Sequence, residues 1–158
     1  MINVYEEMLA HPEYFKQLSV KDSLLVNYQC PQIEEWVDLC SHWNHIIYTI
    51  SGKKLLNSPG KSCSLSEGSL VFLKKGAIRQ GKFFDSNWVV VVFCVADSYL
   101  QQLLKEYRSQ VSIGSVPPPA PDSIIDIDAT QTTHSYFYSL IPYFTQQPPP
   151  PEHLLELK

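Results

Sequence analysis

Four glycines, Gly52, Gly60, Gly68 and Gly76, follow one another at intervals of eight residues. A helix does not tolerate such punctuation. Short strands joined by tight turns require it, because glycine enters the left-handed backbone region without steric cost. Short runs with β character fill the intervals and their flanks. They are Trp43 to Ser51, Leu55 to Leu56, Ser62 to Leu65, Ser69 to Leu73, Ile78 to Phe84 and Trp88 to Val95. The pattern predicts an all-β sandwich or barrel. The last run, Trp-Val-Val-Val-Val-Phe-Cys-Val, has no polar alternation and is predicted to be a strand covered on both faces. Upstream, Leu24, Val26 and Tyr28 alternate, which predicts a strand from Asp22 to Gln29.

Outside this region the pattern changes. Val4, Met8 and Leu9 form a short helical face, broken at His11-Pro12, after which Pro12 is expected to open a second turn carrying Tyr14, Phe15 and Leu18. Leu100, Leu103, Leu104 and Tyr107 recur at i, i+3, i+4 and i+7, predicting a helix over Asp97–Arg108 capped by Asp97 or Ser98. Val116 to Pro121 reads as an extended connector and Ile124 to Ile127 as a short strand. Phe137, Leu140, Ile141 and Phe144 share one face of a helix over Thr130–Gln147, which Pro142 should kink or interrupt. Glu152 to Lys158 reads as the first turns of another amphipathic helix, and a chain that stops there is expected to be part of a longer protein. The expected organisation is an N-terminal helical arm (1–21), a barrel (22–96) and a helical arm with the start of a linker (97–158).

Charge narrows the function. The net charge is -4, with the acidic excess confined to residues 109–158, so binding of DNA or RNA through a basic surface is not expected of this segment. The longest apolar run, Trp88 to Ala96, is far shorter than the roughly 20 residues of a membrane span. The N-terminus lacks the basic start and apolar stretch of a secretory signal, so a cytoplasmic location is expected. The cysteines, Cys30, Cys40, Cys63 and Cys94, show no metal-binding spacing and read as reduced thiols. No catalytic motif stands out.

The stretch Glu67-Gly68-Ser-Leu-Val-Phe-Leu-Lys74-Lys75-Gly76-Ala-Ile-Arg79 resembles the second cupin motif, with Lys74 in place of its proline and Arg79 in place of its metal-binding histidine. His45 to Gly52 resembles the end of the first motif, with His45 in place of its glutamate. His42 is close to the motif's histidine pair but out of register. Metal binding and cofactors are therefore not expected. The wider arrangement of barrel, Leu-rich helix, connector, second helix and terminal Leu154-Leu155-Glu-Leu-Lys is similar to the N-terminal domains of AraC-type transcription regulators. That resemblance implies a mainly β, cupin-like barrel (a double-stranded β-helix or jelly roll) followed by C-terminal α-helices. It implies a regulatory, non-enzymatic domain that senses a small-molecule or protein effector and forms a homodimer. DNA would be bound only through a C-terminal helix-turn-helix domain lying beyond residue 158.

In the cupin register, His45 and Arg79 lie on neighbouring strands and face inward. Ligand-binding candidates are accordingly His45, Arg79, Trp43, Tyr48 and Trp88. Arg79 would clamp an anion, or alternatively sit at the rim, solvated or paired with a carboxylate such as Glu67; the tryptophans could equally fill the core. Dimerisation candidates are Leu100, Leu103, Leu104, Tyr107, Phe137 and Ile141; alternatively the Phe137 face packs onto the barrel, or one of the two helical faces is buried there and the other on a second subunit. The competing functional readings are a small cupin enzyme, such as an isomerase or dioxygenase, and another small-molecule binding module.

Overall fold

The computed structural model describes residues 1–110, 122–151 and 154. The connector at 116–121 and the stretch 152–158, Leu154 apart, lie outside the described residues. Among the described residues, eleven strands and three helices follow in the order β1 (Ile2–Asn3), α1 (Val4–Ala10), β2 (Lys16–Val20), β3 (Ser23–Gln29), β4 (Trp36–Ser41), β5 (Asn44–Ser51), β6 (Lys54–Ser58), β7 (Lys61–Leu65), β8 (Leu70–Leu73), β9 (Gly76–Lys82), β10 (Val89–Val95), α2 (Asp97–Tyr107), β11 (Ile124–Ile127) and α3 (Gln131–Thr145). They build two facing sheets. One has five strands in the order β1-β4-β9-β6-β7, the other six in the order β11-β8-β5-β10-β3-β2. All four evenly spaced glycines have positive φ, and they stand between or at the ends of successive strands from β5 to β9.

The central strands of the six-stranded sheet are buried on both faces. On β10, Val90, Val92 and Cys94 join the core between the sheets, while Val91 and Phe93 join a second apolar layer outside. Leu24 and Val26 of β3 point inward and Leu25 outward. This double coverage explains the unbroken apolar run 88–95. The outer cover is α3, whose Phe137, Leu140 and Phe144 pack against Leu18, Leu25, Tyr48, Leu70 and Val91. Its N-terminus is closed by Thr130, whose hydroxyl accepts from Thr133 N–H at 3.2 Å, with the Thr133 hydroxyl reaching back to the Thr130 N–H. The helix continues through Pro142 to Thr145.

Several local expectations give way. Pro12 opens no second helix. The chain turns at His11, whose carbonyl accepts from the N–H groups of Tyr14 and Phe15, and Lys16–Val20 then pairs antiparallel with β3. Pairing to an existing sheet edge outweighs a weak local helical preference. Residues 1–21 thus place a strand in each sheet beside α1, as β1 pairs parallel with β4. Strand β4 has no clear mark in the sequence, because apolar Trp36 and Cys40 alternate with Val37 and Leu39 and blur the two-residue period. The N-cap of α2 is Ala96; Asp97 instead accepts from Asn44 Nδ2 at 2.7 Å and pairs with Lys75. Among the described residues, no helix is long and apolar enough to cross a membrane.

Candidate functional site

Between the sheets lies a cavity of about 410 Å³, open on one side. Inward-facing side chains of both sheets form its floor, among them Ile47 on β5, Leu56 on β6, Ile78 on β9 and Trp88 just before β10. The N-terminal arm and the loop between β3 and β4 form its mouth, through Met8, Tyr14, Phe15 and Ile33. Met8 is fully buried, whereas Ile33 is 86% exposed.

Polar groups in this wall are few and placed by strand alternation. His45 is buried on the inner side of β5. Its Nε2 lies 3.1 Å from Ser41 Oγ, and that oxygen accepts from the Trp43 backbone N–H at 3.0 Å. Ser41 is buried and its hydroxyl has no other acceptor among the described residues, so its proton points to Nε2 and the imidazole carries hydrogen on Nδ1. That Nδ1 has no partner among the described residues. Gln80, on the inner side of β9, donates Nε2 to Gln32 Oε1 at 2.9 Å, and its own Oε1 is unpartnered among the described residues. One donor and one acceptor thus remain available in a chamber whose lining is mainly apolar, with Glu7, His11, Glu34 and Lys74 also among its lining residues.

Behind Gln32, Gln80 and Trp88 sits Lys54, only 2% exposed. Its ammonium donates to Gln32 Oε1 at 2.6 Å and to Cys30 Sγ at 3.2 Å, and it lies 5.4 Å from the centre of the Trp88 ring. Among the described residues no carboxylate pairs with it. Burial draws its pKa below that of an ordinary lysine, with the sulfur acting in the opposite sense.

Burial also pushes His45 down to about 4 from 6.5. The folded pKa lies below the unfolded one, so the unfolded chain takes up a proton first as pH falls. Stability is complete above pH 6.5 and declines between about pH 6.5 and pH 4. The expected loss across that window is about 3 kcal/mol. Urea denaturation across this range should show it, and His45→Gln should flatten the dependence.

The five candidates for ligand contact separate. His45 and Trp88 line the cavity, Trp88 with its indole N–H donating to Thr49 Oγ1 at 3.1 Å. Trp43 lies outside the lining and stacks on Tyr5 at 4.7 Å. Tyr48 faces the opposite side of β5, because it follows inward-facing Ile47, and it stacks on Phe137 of α3. Arg79 points outward between inward-facing Ile78 and Gln80. Its side chain is 58% exposed, 3.6 Å from Asp38, with the guanidinium 5.5 Å from the Trp36 ring centre. Nor are β5 and β9 neighbours: they belong to different sheets. The cupin register is therefore displaced by one residue at this point, and Gln80 occupies the inward place assigned to Arg79. Lys54, Gln32 and Gln80 carry no motif, and only the loop and strand geometry brings them together.

His42 is exposed in the turn between β4 and β5 and does not converge with His45. Among the described residues no three His, Cys, Asp or Glu side chains gather as metal ligands do. Phe137, a candidate for a subunit interface, is buried against its own sheet, and Ile141 is half-buried. Helix α2 buries none of its residues: Leu100 and Leu103 are half-buried, and Leu104 and Tyr107 are 56% and 49% exposed.

Comparison with known proteins agrees with this architecture. The chain superimposes on ToxT from Vibrio cholerae with a TM-score of 0.59 at 13% identity, covering 86% of this chain and 52% of that one. A ToxT structure bound to (E)-4-(8-methylnaphthalen-1-yl)but-3-enoic acid gives 0.58 at 14% identity, with coverages of 86% and 53%. Unsaturated fatty acid bound ToxT gives 0.56 at 13%, with coverages of 79% and 47%. The chain spans about half the length of ToxT, and at these identities the likeness establishes the cupin-like fold. Comparison with curated protein sequences finds no match. The family model described as ExsA N-terminal regulatory domain matches residues 44–158. Since that match takes in most of the barrel and everything after it, the chain belongs to the family of ExsA N-terminal regulatory domains, a regulatory domain of AraC type.

Proposed function

We propose that the chamber between the sheets receives a small apolar effector with a polar end, and that its occupancy biases DNA-binding units carried elsewhere in a longer regulator. The cavity of about 410 Å³ carries this reading. It is largely apolar, yet it keeps an uncommitted donor at His45 Nδ1 and an uncommitted acceptor at Gln80 Oε1, as small-molecule sites do. The ligands named for ToxT, a naphthyl-butenoic acid and an unsaturated fatty acid, have this apolar body and polar end. His45 and Trp88 remain as ligand contacts, joined by Gln80. On this reading the domain senses rather than catalyses and works in the cytoplasm. It would contact DNA only through the rest of the regulator.

The test is thermal unfolding with (E)-4-(8-methylnaphthalen-1-yl)but-3-enoic acid or decanoic acid. A ligand at one hundred times its Kd stabilises by about 2.7 kcal/mol, a rise of several degrees for a domain of this size. Leu39→Trp, which fills the chamber from β4, should abolish the rise. No rise with any apolar acid, alcohol or amine of this size would remove the proposal.

A second copy of the chain is the proposed partner of α2. Leu104 and Tyr107 are exposed beside half-buried Leu100 and Leu103, an apolar strip that a symmetric helix pair would cover. Leu104→Asp is expected to shift a sedimentation series toward monomer without altering the unfolding midpoint of the monomer. An identical series for both proteins would reject the interface.

A further inference from the structure

We propose that Cys30 and Lys54 form a covalent capture site for electrophiles that enter the chamber, specifically α,β-unsaturated carbonyl compounds. The proposal rests on reading the chamber as the effector site and adds a chemical class of effector.

Cys30 closes β3 and lines the cavity wall. Two N–H donors converge on its sulfur: Lys54 Nζ at 3.2 Å and Gln80 Nε2 at 3.5 Å. Its backbone is held by an N–H bond to the Trp88 carbonyl at 2.9 Å. The other thiols lack this setting. Cys94 is buried beside Met8, which pushes it up to about 12. Cys63 is pushed up to about 11, by burial first and then by its hydrogen bond to Asp126. Cys40 lines the same cavity, and among the described residues no nitrogen donor meets its sulfur. A thiol reacts as the thiolate, and an adjacent ammonium favours that form. Among the described residues no carboxylate pairs with buried Lys54, and its ammonium donates directly to the Cys30 sulfur. The ligand side is marked separately by His45, 3% exposed on the same cavity wall, whose unpartnered Nδ1–H suits a carbonyl oxygen.

The step balances without a further reagent. The Cys30 thiolate adds to the β-carbon of the unsaturated carbonyl, forming an S–C bond as the C=C π bond breaks. The electron pair moves onto the carbonyl as an enolate. Water in the open chamber then gives a proton to the α-carbon, leaving a thioether, a saturated carbonyl and a hydroxide that takes up the proton released when the thiol ionised. Lys54 stays behind the wall, its ammonium 3.2 Å from the sulfur, and positions the attacking atom.

The experiment uses limiting N-ethylmaleimide at pH 7 on the whole chain, with peptide mapping by mass spectrometry against time. Cys30 is expected to react at least tenfold faster than Cys40 or Cys63. Lys54→Met should slow Cys30 about tenfold, while Lys54→Arg, which keeps a cationic donor, should retain most of the rate. Earlier labelling of Cys40 or Cys63 overturns the proposal, as does an unchanged Cys30 rate in folded Lys54→Met. Should Lys54→Met not fold, the wild-type order and Gln80→Leu, expected to slow Cys30 severalfold, decide alone. Decanoic acid cannot react with a thiol. Its thermal shift therefore tests the chamber, while the labelling order tests the thiol, and the two can fail separately.

Discussion

Phe137→Ala is expected to destabilise the domain by about 3–5 kcal/mol, the usual cost of truncating a buried aromatic. Phe137 is 4% exposed. Its ring stacks on Tyr48 with centroids 4.4 Å apart and planes 6° from parallel, and it meets Phe93 at 5.3 Å. The Tyr48 hydroxyl is held by His134 Nδ1 at 2.6 Å, from the same helix. Removing the Phe137 ring opens a void between α3 and the six-stranded sheet that a rigid sheet cannot close. Tyr48 would lose its stacking partner and exposed sheet would remain around it. Chemical denaturation monitored by circular dichroism measures the effect, with Phe137→Leu as a milder control. A change below about 1 kcal/mol would mean that α3 does not cover this sheet.

Gly52→Ala should be comparably damaging, at about 4 kcal/mol. Gly52 sits in the turn between β5 and β6 with φ of +80°, where a side chain costs roughly 1–2 kcal/mol from its own backbone. The surroundings add more. A Cβ at this position would lie 2.0 Å from the Asn87 carbonyl oxygen and 2.9 Å from the Trp88 Cα. These are backbone atoms leading into β10, so relief requires the central strand of the sheet to move. Trp88 would move with it, together with its bond to Thr49 and its place in the chamber. Gly76→Ala is the informative comparison: φ is +136° there, but no atom lies within 4 Å of the added Cβ, so only the backbone cost applies. Equal losses for the two variants would contradict this account.

The same turn shows why the barrel was legible from the chain alone. An interval of eight residues leaves room for a short strand and a turn, and each turn needs a residue free to adopt positive φ. That constraint is local, so composition and spacing carry it. The run 88–95 was legible for a similar reason: coverage on both faces removes the need for polar alternation, as Val91 and Val92 show by pointing to opposite layers while both are buried. The faces of α2 and α3 could be read from helical periodicity, but not what would cover them. Phe137 met its own sheet, whereas Leu104 stayed exposed.

The chamber was less legible. His45 and Trp88 were singled out and do line it; Trp43, Tyr48 and Arg79 were singled out and do not. In a strand, displacing the register by one residue exchanges the inside for the outside. The likeness to a cupin motif placed Arg79 inward, while pairing of Arg79 with Asp38 across β9 and β4 puts its side chain on the outer surface and Gln80 within. Lys54, Cys30 and Gln32 were invisible as a group because each is unremarkable in its own neighbourhood. The sequence by itself determined the β architecture, the doubly covered strand and the helical faces, since these follow from turn stereochemistry and periodicity along the chain. Only the tertiary structure decided which side chains enter the chamber, which aromatic ring α3 buries and which cysteine meets a buried ammonium, since these depend on strand register and on contacts between residues far apart in the chain.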